Sequence, residues 1–405
     1  MLAAILIFGI LTLWVPGRWA LSVFQVAICA LSIARIVQSS GQRRGLNAHP
    51  VGVLLAMVAV WGIVQAAMGW SVEALTTHQA ALDWIVNLVA FSLAVDHASD
   101  PRRSDRFLRT VLWFAAGLAV FAIFTALTSR PGYAFWVFPL EQDVLTLGPF
   151  VYHNQYAAFV EAILPLAILR AILDRGRAIG YAAVAVLLFA SVVVGGSRTG
   201  TFLCLAEILL IPAFAYAKRL IPATAFVRVA AGSFAAIALA VAIAGWQAIW
   251  MRLQEPNPYA VRANLVRSSV AMFRDRPWTG FGLGTWSVAY PHYALYDDGQ
   301  FVNQAHNDWI QWAVEGGLPL FAIMLSIAIW SLRPAARVIW GLGIVAVFLH
   351  CLIDYPFQQR PALAAFFFAW LGVVAAAGDG ITASTRATHR AAGNTNPRAP
   401  AAPVE

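Results

Sequence analysis

Residues 178–219 read AIGYAAVAVLLFASVVVGGSRTGTFLCLAEILLIPAFAYAKR, and the fold class can be read from them. Two apolar runs, 178–195 and 198–217, flank one tight glycine-containing turn. Each run is close to the roughly 20 residues a helix needs to cross a bilayer. Arg175 and Arg177 stand before the pair, and Lys218 and Arg219 stand after it. The segment therefore reads as two membrane spans whose outer ends share a basic, cytoplasmic side.

Working outward, similar runs cover 2–15, 19–37, 50–69, 79–95, 107–128, 153–173, 226–250, 311–332, 336–353 and 361–378, with Gly or Pro at several boundaries. The first is short, and it lacks the basic start and small-residue cleavage site of a signal peptide. Across 405 residues, 60% are hydrophobic and 11% are charged, against about 25% charge in soluble domains. The expected fold is an all-α polytopic transmembrane bundle of about 12 spans, residues 1–378, with a large external loop over 251–310 that contains short helices. Residues 379–405 are Ala-, Thr-, Arg- and Pro-rich without periodicity and read as a disordered cytoplasmic tail. Cys29, Cys204 and Cys351 all fall within apolar runs and read as buried thiols, not as a disulfide framework or metal set.

The net charge of +8 would suit a nucleic-acid partner until its distribution is read. With both termini cytoplasmic, 18 of the 27 basic residues fall on the inner side. The nine outside are Arg18, Arg130, Arg198, Arg252, Arg262, Arg267, Arg274, Arg276 and Arg360, five of them in the long loop. The charge is thus a topology signal, the partner it implies is a lipid bilayer, and no nucleic acid is expected.

Some external residues are not explained by topology. Arg198 opens the span that Ser197 caps, where a cation meets the positive end of the helix dipole. A guanidinium beside free backbone N–H groups makes an anion site there, whereas the bland alternative is an anchor to lipid headgroups. Arg262 lies on a helix over 262–273, near the middle of the arc formed by Ala263, Leu265, Val266, Val270, Met272 and Phe273. A solvated face fits Arg267 and Arg274 but not Arg262; a buried ion pair is the structural alternative. His306 precedes Asn307 and Asp308, either of which can cap the next helix, so capping does not require the imidazole. Its chemistry suits a general base near neutral pH.

In order along the chain, these stretches resemble the O-antigen ligase/polymerase superfamily of bacterial membrane glycosyltransferases. The matching text is Gly196-Ser197-Arg198-Thr199-Gly200, then Asp275-Arg276-Pro277-Trp278-Thr279-Gly280-Phe281-Gly282-Leu283-Gly284-Thr285. It continues with Ala305-His306-Asn307-Asp308-Trp309-Ile310-Gln311, Glu315-Gly316-Gly317-Leu318-Pro319, Asp354-Tyr355-Pro356 and the turn at Arg360. The ligase-like region covers about 150–375. Two departures are Leu320, where the family often has Gly, and residues 150–155, which match the family's Asn-rich entry to span six only loosely.

The resemblance implies transfer of a glycan from undecaprenyl pyrophosphate to an acceptor sugar hydroxyl on the periplasmic side of the inner membrane, with inversion. The reaction serves lipopolysaccharide or surface-polysaccharide biosynthesis and uses no metal and no cofactor. Carried onto this chain, Arg198 and Arg262 bind the donor pyrophosphate, and His306 activates or orients the hydroxyl of the acceptor, a lipid A core or another glycan. Arg360, Asp354, Asn307 and Asp308 are secondary candidates. Polymerase members share the donor chemistry and differ in acceptor.

Glu161 and Glu207 lie mid-span and are the best residues for a rival class, a solute transporter. Transporters also show interrupted helices in repeated halves, and no such symmetry appears here. The expectation is that both carboxylates face the interior and pair with an arginine or hydroxyl. Trp278, Trp286, Tyr290 and Tyr293 offer faces for stacking on sugars or for interfacial anchoring. Asp297-Asp298 reads as a solvated turn rather than a metal site.

Overall fold

A computed structural model of the chain describes residues 1–40, 49–140, 143–244, 260–295, 299 and 301–393. The architecture is all-α. Helices α1 (Leu2–Leu11), α2 (Arg18–Ser40), α3 (Pro50–Ala67), α4 (Ala74–Ala98) and α5 (Pro101–Thr128) lead to a small hairpin, β1 (Tyr133–Ala134) with β2 (Phe138–Pro139). Then follow α6 (His153–Leu173), α7 (Ala178–Gly195), α8 (Arg198–Ala217), α9 (Ala223–Ala244), α10 (Ala260–Asp275), α11 (Asp308–Arg337), α12 (Leu342–His350) and α13 (Pro361–Gly393).

Ten of the described helices are long and apolar enough to cross a membrane. The two remaining apolar segments, Leu2–Leu11 and Ile339–His350, are shorter, at about 15–18 Å of helix against a hydrocarbon core of about 30 Å. The expected spans one and eleven are therefore shorter as helices than their apolar runs. Span eleven shrinks because α11 continues through Pro334 to Arg337, and a 3-10 turn takes Ile339–Gly341. Hydropathy marks the apolar run, not where the helix stops. Helix α13 runs from Pro361 to Gly393, past Asp379.

Polar contacts divide the bundle ends into two faces. On one, Arg35 pairs with Asp96, Arg170 with Asp105 and Arg337 with Asp379. Lys218 donates there to the carbonyls of Ala336 and Arg337. The other face, called the site face below, gathers the starts of α2, α4, α6, α8, α11 and α13. There Arg18 donates to Gln79, and the 277–285 segment docks onto α3, α4 and α11.

That docking explains the two glycine motifs. Gly280 and Gly317 adopt φ +67° and +65°, which disfavours any side chain. A Cβ at Gly280 would sit 2.3 Å from the Glu315 carbonyl oxygen, and one at Gly317 would sit 2.5 Å from that of Trp278. Gln65 of α3 clamps the contact, donating to the carbonyls of Thr279 (2.6 Å) and Glu315 (2.8 Å) and accepting from the Leu283 amide (3.2 Å). Trp61 donates to the Gly316 carbonyl (2.9 Å). Leu320 is fully buried in the core.

Candidate active site

Asp354 is the hub of the site face. It follows α12 on a turn whose amide donates to the His350 carbonyl (3.0 Å), and its side chain is about 1% exposed. The Tyr152 hydroxyl donates to its two carboxylate oxygens at 3.0 and 2.9 Å, and Asn154 Nδ2 donates to Oδ2. The Tyr355 amide donates to Oδ1 (3.0 Å). Arg262, from the first turn of α10, donates through Nη2 to Oδ2 at 2.8 Å. His306 Nδ1 lies 3.7 Å from Oδ1 and 3.5 Å from the Tyr152 hydroxyl. Three chain segments, 152–154, 262 and 306, thus converge on one carboxylate.

Aromatic packing fixes the geometry. Tyr152 and Tyr355 stack at 4.9 Å with rings 8° apart, and His306 meets Tyr355 edge-on at 4.8 Å. His306 takes φ +52°, a conformation that histidine adopts more readily than most side chains and that often marks functional positions.

Burial alone would raise the Asp354 carboxyl, but His306, Arg262 and His350 outweigh it and hold the group below the usual carboxylate range. Burial, reinforced by Asp354, pushes the Tyr152 phenol well above its ordinary value. Tyr152 is therefore a fixed hydrogen-bond donor and Asp354 a fixed anion.

The structure brings Arg262, His306 and Asp354 into one cluster. Arg198 reaches the same face as the first residue of α8. Ser197 caps that helix, accepting from the Gly200 amide (3.0 Å), and the turn packs so closely on α6 that a Cβ at Gly200 would lie 2.3 Å from that of Ala157. Arg360 stands beyond Tyr355, within electrostatic reach of its phenol. Asn307 caps α11, accepting from the Ile310 amide (3.0 Å) and donating to the Leu352 carbonyl (2.7 Å). Asp308 is fully buried, and its Oδ2 accepts from the Phe357 amide (3.0 Å). Both hold the 351–357 turn in place around Asp354.

Sequence reasoning missed Tyr152 and Asn154 and ranked Asp354 second. The available signal was polar side chains at the entry to an otherwise apolar span six. It also expected the wrong partners for the buried carboxylates. Glu161 faces the interior but pairs with His350 Nδ1 at 2.8 Å, both side chains fully buried. Glu207 is interior too, and neither carboxylate oxygen has a hydrogen-bond partner among the described residues. Trp286 is no stacking surface: it is fully buried, parallel to Tyr290 at 4.6 Å, and donates to Ser269 Oγ (3.0 Å). Trp278 is 69% exposed. Cys204 and Cys351 are buried, Cys29 is half-buried, and all three are free. Asp297 and Asp298 lie outside the described residues. Among the described residues no three His, Cys, Asp or Glu side chains gather as a metal-holding group.

Residues 183–325, about a third of the chain, match the family model described as O-antigen ligase. The match runs from α7 into α11 and includes Arg198, Arg262 and His306. No curated protein matches the chain.

Proposed function

We propose that this chain, a member of the O-antigen ligase/polymerase superfamily built as a multi-pass helical membrane protein, transfers a glycan from undecaprenyl pyrophosphate to an acceptor sugar hydroxyl. The observation that carries this reading is the convergence of Arg262, His306 and Tyr152 on the buried carboxylate of Asp354. The charge bias of the loops supports a bacterial inner-membrane protein with cytoplasmic termini and its site face periplasmic.

In the reaction, the acceptor hydroxyl oxygen attacks the anomeric carbon as the bond to the pyrophosphate oxygen breaks. The lipid diphosphate leaves with that electron pair, and the anomeric centre inverts. Arg198 and Arg262 bind the diphosphate and stabilise the charge that develops on it; a guanidinium fork suits phosphate through paired, charge-assisted bonds. His306 takes the hydroxyl proton. With Nδ1 turned towards Asp354, Nε2 is the nitrogen left for the substrate. Asp354 then orients the ring and stabilises the imidazolium, as buried carboxylates do behind catalytic histidines. The step needs no metal and no cofactor.

The test is transfer by purified protein in nanodiscs from a lipid-linked donor. Arg198→Ala, Arg262→Ala and His306→Ala are each expected to abolish transfer while the protein still inserts; full activity in all three would refute the mechanism. Uptake of a labelled solute by proteoliposomes without donor would favour transport instead. The surface-glycan gel of a deletion strain separates ligase from polymerase. Loss of all polymer from the lipid A core marks a ligase, and core bearing a single repeat marks a polymerase.

A further inference from the structure

Helix α6 touches both halves of the site along one stripe. Asn154, Ala157 and Glu161 are spaced by three and four residues and so share one face of the helix. Asn154 donates to Asp354, and Gln155 donates to the Gln358 carbonyl (3.0 Å), so the first turn of α6 holds the turn between α12 and α13. One turn further in, Ala157 seats the start of α8, where Gly200 leaves no room for a side chain. Glu161 lies a turn deeper, fully buried.

Glu161 meets both neighbours. Its Oε1 lies 3.2 Å from the position a Cβ would take on Gly200, two residues after Arg198. The same oxygen pairs with His350 Nδ1 at 2.8 Å. His350 closes α12, and its carbonyl receives the amides of Ile353 and Asp354, both at 3.0 Å. Two turns earlier on α12, Gly343 packs its backbone on that of α6: a Cβ there would lie 2.6 Å from the Ala162 carbonyl oxygen.

Glu161 Oε2 and His350 Nε2 have no hydrogen-bond partner among the described residues, and both side chains are closed to solvent. A buried pair of this kind is a weak source of stability, because apolar side chains of similar volume often serve as well or better. What apolar side chains could not supply is a directed link. The Glu161–His350 bond ties the start of α8 to the turn that carries Asp354.

We infer that Glu161 and His350 are positioning residues for transfer: their bond sets the spacing between Arg198 at the start of α8 and Asp354 with its partners His306 and Arg262. A diphosphate held by Arg198 then stands at a fixed distance from the base. Neither residue touches substrate. The inference rests on the glycosyl-transfer reading above.

The test replaces the link with apolar volume. In nanodiscs, Glu161→Leu combined with His350→Leu is expected to lower kcat about 100-fold, the cost of a misplacement on the order of 1 Å. Thermal stability should be no lower than in the wild type. A role confined to stability would leave kcat per folded molecule unchanged. Glu161→Gln, whose amide oxygen still accepts from Nδ1, should transfer like the wild type. Glu161→Met alone carries the same expectation for kcat and serves if the leucine pair fails to insert. Spacing is read directly by double electron–electron resonance between nitroxides on Phe202→Cys and Leu352→Cys, both exposed positions, in a Cys29→Ser background; Cys204 and Cys351 are buried. The distance distribution should broaden in the leucine pair or in Glu161→Met, and match the wild type in Glu161→Gln. Wild-type kcat in the disrupted protein, a lower kcat with an unaltered distance distribution, or Glu161→Gln as impaired as the leucine pair would overturn the assignment. The distance measurement needs no turnover, so wild-type protein that transfers nothing would sink the reaction while the spacing is still decided.

Discussion

Arg262 and Asp354, 92 residues apart in sequence, form an ion pair of 2.8 Å in which the carboxylate is almost wholly buried and the guanidinium about one quarter exposed. The pair ties α10, an amphipathic helix outside the bundle core, to the turn between α12 and α13. Arg262 neutralises a buried anion, and its guanidinium remains partly exposed.

Charge and geometry at Arg262 are separable. Arg262→Lys keeps the cation but loses the planar fork. Its kcat/KM for lipid-linked donor is expected to fall roughly tenfold or more, with the protein still folded. A Lys variant matching the wild type would show that a point charge suffices.

The Tyr152–Asp354 contact should matter to catalysis more than to donor binding. Tyr152→Phe removes the hydroxyl that bonds both carboxylate oxygens. Transfer is expected to drop about tenfold, as for one lost hydrogen bond. Asp354→Asn, which removes the anion behind His306, should cost roughly 100-fold or more. Equal kcat in all three proteins would remove Asp354 from the mechanism.

Asp354 also sets an acid limit on stability. Its folded pKa is depressed, so the carboxylate contributes stability at every pH above its unfolded value of about 3.9. That contribution disappears only as pH falls below about 4 and through the still lower folded value. Thermal melts of wild type and Asp354→Asn between pH 7 and pH 3 should differ by a constant amount down to about pH 4 and converge below it. Convergence already near pH 6 would contradict a depressed carboxyl.

The buried Glu161–His350 pair, at 2.8 Å, props up the site from beneath, because the His350 carbonyl receives the Asp354 amide. His350→Ala strands a carboxylate in the core and should destabilise strongly, in the range of about 3–5 kcal/mol for a broken buried pair. Glu161→Gln combined with His350→Ala should recover part of that loss. A double variant no better than the single one would mean that the two side chains are uncoupled; chemical or thermal unfolding in detergent reads the difference.

Gly280 tests the docking of the 277–285 segment. Gly280→Ala imposes a side chain at φ +67° and against the Glu315 carbonyl. Strain alone costs about 1–3 kcal/mol. Limited proteolysis should cut the loop faster in this variant, while Gly117→Ala, where a Cβ meets nothing within 4 Å, should match the wild type.

The apolar helices, the clustering of basic residues in alternate loops and the Ser197 cap before Arg198 are legible in the sequence. These follow from local properties: an apolar run long enough to span lipid, the cost of moving arginines across it, and a hydroxyl three residues before an amide. The sequence also singled out Arg262, whose position on an apolar arc signalled a partner without naming one. Which residues meet is set by packing. Tyr152, Arg262 and His306 come to Asp354 from 202, 92 and 48 residues away, and Glu161 finds a histidine rather than an arginine. Helix packing fixes those distances, and a one-dimensional pattern of hydropathy carries no record of which helix stands beside which.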